Sequence, residues 1–284
     1  MAPPNGKGTL ISGSRTMRII NHSFAVDRYF DLISTATSRV LIIDYGGLAP
    51  PSDHGPCLPI PAVPGLLEQI RSRTGTRLVL ISDRDCKTVR SLLGLHPPPE
   101  IWAVGGLERA WPDGSYELAP FDERALRGLA EADDWSQAAG LLPWTEQKPG
   151  GIALLERTSE ATDWNSLRAR AWTAWAEIAA EYGLSILNLE HGIELRVPSR
   201  TRVEAIKTVL AETDSSIPIA YLGDGILSEF AFDALGARGA KVLVREKARP
   251  TLADVWITHP RGVVDFLQTW LHACHPERWH SDCA

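Results

Sequence analysis

The stretch Arg39-Val-Leu-Ile-Ile-Asp44-Tyr-Gly-Gly-Leu-Ala-Pro50 decides the fold class of this chain. Residues 40–43 form a short apolar run rich in β-branched side chains, which is typical of a strand buried on both faces of a parallel sheet. Asp44 follows at once, and Gly46 and Gly47 then provide the turn that ends the strand. The stretch therefore predicts a buried strand over residues 39–44 that carries the Asp44 carboxylate at its carboxyl end.

Strands and helices alternate on either side of this stretch. The first part of the chain predicts helices over residues 25–34, 65–73 and 87–95 and a second strand over 76–82. The last part predicts helices over residues 201–212, 228–236 and 260–272 and strands over 218–223 and 240–244. Because short connections between such elements favour right-handed crossovers, the pattern predicts an α/β fold with a doubly wound parallel sheet.

The middle of the chain has a different composition, since it is rich in tryptophan and in helix-forming residues. There, two apolar runs, over 151–155 and 184–189, flank a predicted helix over residues 164–182. We interpret the middle as an α+β domain inserted into the sheet domain. The predicted divisions are an N-terminal tail over residues 1–20, a core over 21–119 and 196–284, and the inserted domain over 120–195.

The composition excludes several classes of protein. Of 284 residues, 44% are hydrophobic and 23% charged, which suits a globular chain with a sizeable core and not a disordered, collagen-like or coiled-coil one. The net charge of -6 and the lack of a basic run argue against general attraction to nucleic acid. No apolar run approaches the roughly 20 residues of a membrane span, and the opening residues lack the apolar core of a signal peptide. We therefore expect a cytoplasmic protein that binds neither nucleic acid nor membrane.

Polar side chains stand at the carboxyl ends of the predicted strands. Asp44 ends one strand, Ser82 ends the next, and Asp224 follows the strand over 218–223. Arg202 lies at the start of the helix that follows the insert. Because ligands bind at this edge of an open parallel sheet, carboxylates, a hydroxyl and a cation there suit Mg²⁺ and phosphate. Asp44 alone does not distinguish a catalytic from a structural role, since Asp is also an ordinary turn and helix-cap residue.

Five stretches together resemble the haloacid dehalogenase superfamily of phosphotransferases, in its trehalose-6-phosphate phosphatase branch. The family's D-Y-D-G-T-L-A-P and S-G-R motifs read Asp44-Tyr-Gly-Gly-Leu-Ala-Pro50 and Ser82-Asp-Arg84. Its R-x-L-L-G-L, E-L-R-P and Y-L-G-D-D-x-T-D-E-D-A-F read Arg90-Ser-Leu-Leu-Gly-Leu95, Glu194-Leu-Arg-Val-Pro198 and Tyr221-Leu-Gly-Asp-Gly-Ile-Leu-Ser-Glu-Phe-Ala-Phe232. Linked matches in the correct order are more specific than any one of them.

The resemblance implies a mechanism in which Asp44 attacks phosphorus to form an aspartyl-phosphate while Mg²⁺ neutralises the phosphate charge. It implies that the protein's ligands to Mg²⁺ are Asp44, the backbone carbonyl of Gly46, and Asp224. It also implies that Ser82 and Arg202 hold the phosphate.

The inserted domain would correspond to the family's cap domain over the site. The E-D-K pattern of that cap reads Glu146-Gln-Lys148, and Glu194 lies near the exit from the cap. The resemblance therefore implies a polar cap face, carrying Glu146, Lys148 and Glu194, that binds the sugar.

Three motif carboxylates of the family are replaced in this chain. Gly46 stands where the family has its general acid, and losing such a group typically costs ~10² to 10⁴ in rate. Gly225 and Ser228 replace carboxylates near the metal and leave Glu229 as the nearby acid, so we expect weaker Mg²⁺ binding. Arg202 replaces a lysine and is a planar fork in place of a point charge.

The sequence leaves several functions open. One is a phosphomonoesterase for a sugar or sugar-like phosphate, with proton transfer rerouted through water or through Asp53 or His54. Another is a catalytically impaired pseudophosphatase that binds a sugar phosphate or a partner protein. A third, different chemistry on the same scaffold, would need catalytic groups that we do not find. The family's sugar-contacting G-E-H-G reads Gly105-Gly-Leu-Glu108, so trehalose phosphate is not established as the substrate.

Overall fold

A computed structural model describes residues 16–49, 58–156, 163–189, 192–198 and 200–275. Asp53 and His54, considered above for proton transfer, lie outside the described residues. The helices in these ranges are α1 (Val26–Thr35), α2 (Val63–Arg73), α3 (Cys86–Leu93), α4 (Glu123–Ala138), α5 (Trp164–Tyr182), α6 (Arg202–Ala211), α7 (Ser228–Leu235) and α8 (Arg261–Cys274). The strands are β1 (Met17–Ile19), β2 (Arg39–Asp44), β3 (Thr76–Ile81), β4 (Glu100–Ala103), β5 (Glu108–Ala110), β6 (Tyr116–Leu118), β7 (Thr145–Lys148), β8 (Gly151–Leu155), β9 (Ser185–Leu189), β10 (Gly192–Arg196), β11 (Ile219–Gly223), β12 (Ala240–Val244) and β13 (Val255–Ile257).

The larger of two sheets has nine strands in the order β1-β13-β12-β11-β2-β3-β4-β5-β6. Strand β11 pairs in parallel with both β2 and β12, and β3 pairs in parallel with β4. The antiparallel pairs involve β1 at one edge and β5 and β6 at the other. The predicted α/β class with a mostly parallel sheet is confirmed.

The described residues divide into two compact units. The first unit draws on residues 1–50, 59–78 and 210–284, and the second on 51–58 and 79–209. This division cuts through β3, so it does not mark the ends of the inserted domain. The tail, core and cap limits given above stay a prediction.

Burial in the first unit explains the apolar run that opens the sequence argument. Residues 40–43 of β2 are each at most 2% exposed, and the strand is covered on both faces, so it shows no polar alternation. Helix α8 packs on α1 and α2 through an apolar face that includes Phe266 and Trp270.

The second unit contains a four-stranded antiparallel sheet in the order β7-β8-β10-β9. Helices α4 and α5 pack against each other and against this sheet. The core between them includes Trp175, which is fully buried, together with Ile152, Leu154 and Ile193. An α+β arrangement was predicted for this region.

Strand β1 lies within the segment that we predicted as a tail. Met17–Ile19 pair antiparallel with β13, in the register Met17 to Ile257. The strand has three residues, two of them exposed, so no apolar alternation marks it in the sequence. No helix in the part of the chain that the structure describes is long and apolar enough to cross a membrane.

Candidate active site

The predicted site residues fall into two groups, one in each unit. In the first unit, Asp44 ends β2 and Asp224 follows β11, and the two strands are parallel neighbours with Ile43 opposite Leu222. Parallel neighbours in this register deliver their carboxyl ends to the same edge of the sheet. The two carboxylates predicted to hold Mg²⁺ are therefore brought to adjacent strand ends.

The Asp44 carboxylate is buried and held by two neutral hydroxyls. Its Oδ2 accepts hydrogen bonds from Ser228 Oγ at 3.0 Å and from Tyr221 Oη at 3.2 Å. Asp44 is 4% exposed and Ser228 is fully buried. Ser228, at a position where the family has a carboxylate, thus donates to the predicted nucleophile and orients it.

The Asp224 carboxylate fills the space beside Gly46. A Cβ atom built on Gly46 would lie 2.2 Å from Asp224 Oδ2 and 3.0 Å from its Cγ, closer than real Cβ contacts. Gly46 therefore does more than lack an acid group. Its missing side chain is what lets the Asp224 carboxylate lie against the β2 turn.

Glu229, expected to be a nearby acid, is engaged elsewhere. Its carboxylate pairs with the Arg249 guanidinium and accepts hydrogen bonds from Thr251 Oγ1 and the Leu252 amide, both at 2.8 Å. It therefore anchors the segment after β12. These contacts occupy both carboxylate oxygens. The expectation that Glu229 is a nearby acid for the site is therefore wrong, because its carboxylate binds the segment after β12.

The oxygen ligands that the first unit offers fit Mg²⁺ only if phosphate oxygens complete the coordination shell of the ion. They are the carboxylates of Asp44 and Asp224 and the carbonyl of Gly46, which also accepts the Ala49 amide at 3.3 Å. No group of three or more His, Cys, Asp and Glu side chains placed to hold a metal occurs within the described ranges. Mg²⁺ commonly binds one or two carboxylates together with waters and substrate phosphates. The residues present fit that mode and do not form an all-protein metal cage.

In the second unit, Ser82 is fixed in the turn that follows β3. Its amide donates to the Trp102 carbonyl at 2.9 Å, and its carbonyl accepts the Gly105 amide at 2.9 Å. Its Oγ accepts the Arg84 amide at 3.0 Å. A serine hydroxyl that accepts one bond can still donate its proton. The Ser82 hydroxyl is thus held in place, and its proton can be donated to an anion.

Arg202 starts α6, where a capping box holds the helix end. The Thr201 amide donates to Glu204 Oε2 at 2.6 Å, and the Glu204 amide donates to Thr201 Oγ1 at 3.4 Å. This T-x-x-E signal was present in the sequence, and we overlooked it. A Cβ on Gly106 would lie 2.5 Å from the Thr201 carbonyl, so the glycine lets the start of α6 approach.

Arg202 already has an anionic partner, which the sequence analysis missed. Its Nη2 donates to both carboxylate oxygens of Asp83, at 3.0 and 3.1 Å. Desolvation would raise the pKa of Asp83, but attraction to Arg202, Lys148 and Arg196 outweighs it and lowers that pKa. The only sequence signal was a charged residue where the resembled motif has glycine.

The three predicted cap residues share one face of the small sheet. Glu146 and Glu194 both stand opposite Ala153 in the register, and Lys148 lies two residues after Glu146 on β7. Because residues directly opposite, and residues two apart on one strand, point to the same side, all three share a face. Ile152, Leu154 and Ile193 alternate with them, and these belong to the core that the helices complete.

Two of these cap residues form a buried ion pair. Lys148 Nζ lies 3.2 Å from Glu194 Oε2, with the side chains 6% and 3% exposed. Glu194 Oε1 is buried and has no hydrogen-bond partner among the described residues. Glu146 on the same face is half-buried. The face therefore carries a buried carboxylate oxygen that can accept a hydroxyl.

No family model matches the chain. Its curated relatives include the trehalose-phosphate phosphatase of Mycobacterium tuberculosis, 29% identical over 219 residues, which are 72% of this chain and 54% of that protein. The trehalose-phosphate phosphatase of Mycobacterium marinum is 29% identical over 203 residues, which are 66% of this chain and 50% of that protein. The chain thus spans about half the length of these relatives.

Solved structures extend the comparison. The C-terminal domain of trehalose-6-phosphate phosphatase from C. albicans matches with a TM-score of 0.73 at 18% identity, over 91% of this chain and 99% of that one. A haloacid dehalogenase-like hydrolase from B. subtilis matches with a TM-score of 0.55 at 15% identity, over 81% of this chain and 99% of that one. The chain has a haloacid dehalogenase-like fold.

A third structure is similar. The C-terminal domain of the Candida albicans trehalose synthase regulatory protein matches with a TM-score of 0.65 at 12% identity, over 89% of this chain and 99% of that one. The predicted resemblance to the haloacid dehalogenase superfamily, in its trehalose-6-phosphate phosphatase branch, is confirmed by these relatives and structures together.

Proposed function

We propose that the chain is a haloacid dehalogenase-like phosphatase that hydrolyses a phosphomonoester of a sugar or a sugar-like molecule, such as a disaccharide or a cyclitol. In this proposal the Asp44 carboxylate attacks phosphorus to form an aspartyl-phosphate, which water then hydrolyses. The observation that carries the proposal is the buried Asp44 at the end of β2, with Oδ2 fixed by Ser228 and Tyr221.

Mg²⁺ is the cofactor that we propose. Asp44, Asp224 and the Gly46 carbonyl would hold it together with phosphate oxygens, and when bound it neutralises charge on the phosphate. Because positions 225 and 228 carry no carboxylate, we expect weak binding that strengthens when a sugar phosphate is present.

The proposal assigns phosphate binding to Ser82 and Arg202 and sugar binding to the polar face that carries Glu146, Lys148 and Glu194. Support for the sugar comes from Glu194 Oε1, which is buried without a partner among the described residues. Leaving a buried acceptor unsatisfied costs about 1–3 kcal/mol, and a sugar hydroxyl would remove that cost. The proposed partner is therefore a small-molecule sugar phosphate, and the proposed location is the cytoplasm.

Proton transfer to the leaving oxygen is the step for which we find no acidic side chain at the position of the family's general acid. Gly46 has no group that can donate a proton, so we assign this transfer to water. Catalysis is expected to be slower by ~10² to 10⁴ than with a positioned acid.

The test is phosphate release from a panel of sugar phosphates by the purified full chain with Mg²⁺. Asp44→Asn is the control, since it keeps the shape of the side chain and removes the nucleophile. We expect release by the native chain and none by the variant. Release no greater than that of the Asp44→Asn protein would overturn the proposal.

A second candidate, a pseudophosphatase that binds a sugar phosphate without turnover, is favoured by the glycines at 46 and 225 and the serine at 228. The similarity to the C-terminal domain of a regulatory protein agrees with it. Calorimetric titration separates the two functions. Mg²⁺ binding that depends on sugar phosphate supports the enzyme, whereas sugar-phosphate binding without any Mg²⁺ binding or phosphate release supports the second candidate.

A further inference from the structure

Asp83 and Arg202 form a contact that neither the resembled motif nor the proposed function includes. The Arg202 side chain is 9% exposed and the Asp83 side chain is 44% exposed, so an accessible carboxylate contacts a buried cationic side chain. One guanidinium nitrogen donates to both carboxylate oxygens, at 3.0 and 3.1 Å. A buried cation is thus neutralised by a side chain from the turn after β3.

The backbone on both sides of Asp83 is fixed. Ser82 is held through its amide and carbonyl by Trp102 and Gly105, and the Arg84 carbonyl accepts the Val104 amide at 3.0 Å. The Arg84 amide is also bound to Ser82 Oγ. Only the side chain of Asp83 is therefore left to move, and it is exposed enough to leave Arg202 by a change of rotamer.

The surroundings keep Asp83 ionised. Arg196 and Lys148 attract its carboxylate along with Arg202, and the resulting pKa is lower than that of an ordinary aspartate. Lys148 is itself paired with Glu194. The carboxylate is therefore an anion at neutral pH, held against the guanidinium to which the resemblance assigns phosphate binding.

Carboxylate and phosphate compete for the N–H donors of a guanidinium because both are anions with oxygen acceptors, and Arg202 Nη2 already donates to both Asp83 oxygens. We propose that Asp83 is a specificity-determining residue that occupies the Nη2 donor of Arg202, so that a phosphate group reaches this donor only by displacing Asp83. The inference rests on the proposed function, since that function is what places phosphate at Arg202. On this inference the contact between phosphate and Arg202 contributes little net affinity, because it replaces the contact with Asp83. The rest of the ligand must then supply most of the binding affinity.

The test measures equilibrium binding of inorganic phosphate to the full chain by calorimetry, without turnover. Four proteins form a double-mutant cycle: the native chain, Asp83→Asn, Arg202→Gln and the double variant. Asp113→Asn is the matched control, since it removes one carboxylate of the same unit from an exposed turn. We expect Asp83→Asn to bind phosphate about tenfold tighter, the gain from releasing one charge-assisted contact. We expect Arg202→Gln to abolish most of that gain, and Asp113→Asn to bind as the native chain does.

Two results would overturn the inference: phosphate binding by Asp83→Asn no tighter than by the native chain, or an equal gain with Arg202→Gln present. Asp83→Gly, which restores the residue of the resembled motif, is the second variant in case Asp83→Asn does not fold by circular dichroism. Because binding is measured directly, absence of hydrolysis would count against the proposed function alone. Where hydrolysis is found, Asp83→Asn lowers KM for the sugar phosphate and leaves kcat unchanged, a split that a purely structural role would not produce.

Discussion

Restoring the missing acid at position 46 is expected to fail because the Asp224 carboxylate occupies its place. Gly46→Asp adds a Cβ atom 2.2 Å from Asp224 Oδ2, so the Asp224 side chain must rotate away. The Asp224 side chain is short, and forcing it about 30° from a rotamer costs ~0.5–1.5 kcal/mol. The new carboxylate also repels the one it displaces. The variant therefore gains an acid and displaces Asp224, a proposed ligand to Mg²⁺.

The size of the rate change in Gly46→Asp distinguishes displacement of Asp224 from the mere absence of an acid. If only the acid were missing, Gly46→Asp would raise the rate by ~10² to 10⁴. Because Asp224 is displaced, we expect a gain of less than about tenfold and Mg²⁺ affinity at least about tenfold weaker, within the range that altered metal surroundings cost. Gly46→Ala isolates the displacement: it should weaken Mg²⁺ binding by the same amount and lower the unfolding free energy by about 1 kcal/mol.

Gly47→Ala is the matched control in the same turn. A Cβ on Gly47 would lie 3.5 Å from Val244, which is ordinary contact, so this variant should keep the native Mg²⁺ affinity. The assays are calorimetric titration of Mg²⁺ with a sugar phosphate present, phosphate release, and urea unfolding. A gain of ~10² or more in phosphate release by Gly46→Asp, with Mg²⁺ affinity unchanged, would refute the reasoning.

Four variants test individual contacts. Ser228→Ala removes one donor from the Asp44 carboxylate and should lower the unfolding free energy by about 1–2 kcal/mol in urea, and an unchanged value would mean that the bond contributes nothing. Lys148→Ala leaves Glu194 a buried, unpaired charge and should cost about 3–5 kcal/mol. Arg77→Ala breaks the exposed pair with Glu212 and should cost less than about 1 kcal/mol, so equal losses would contradict the burial argument. Because the pKa of Asp83 is lowered on folding, its charge stabilises the fold above the unfolded value of about 3.9. The stability difference between the native chain and Asp83→Asn should therefore begin to shrink as the pH falls through about 3.9, and it should stop changing once the pH lies below the lowered pKa of Asp83 in the folded chain; a difference that is independent of pH over this interval would contradict the assignment.

The sequence predicted those helices and strands that are long enough, and buried enough, to leave a clear pattern of apolar residues. Strand β2 is covered on both faces and reads as a continuous apolar run, so its bounds, Arg39–Asp44, were predicted to the residue. Helix α5 (Trp164–Tyr182) was also predicted correctly, between the apolar runs of β8 and β9. Strands β1, β5 and β6, which have three residues each, carry too little pattern to be found.

Within the candidate site, sequence reasoning reached the residues but not their partners. Asp44 and Asp224 follow from strand ends, because topology alone delivers them to one edge. The Asp83–Arg202 pair joins residues 119 positions apart, and no local pattern encodes such a contact. Glu229 shows the opposite error, since its place in a motif suggested a site residue, while its contacts with Thr251 and Leu252 hold a neighbouring segment.

The substitutions at the two groups of site residues act in the same direction. In the first unit, glycine at 46 and 225 and serine at 228 remove negative charge where the resembled family binds its metal. In the second, Asp83 adds negative charge at the cation assigned to phosphate. Under the proposed function, fewer carboxylates would weaken Mg²⁺ binding and the Asp83 carboxylate would weaken phosphate binding, so each substitution is expected to lower the ionic part of the affinity for the proposed ligand. That proposal then requires the uncharged part of the ligand to supply most of the affinity. Glu194 Oε1, which is buried and has no hydrogen-bond partner among the described residues, is the acceptor that we propose for it.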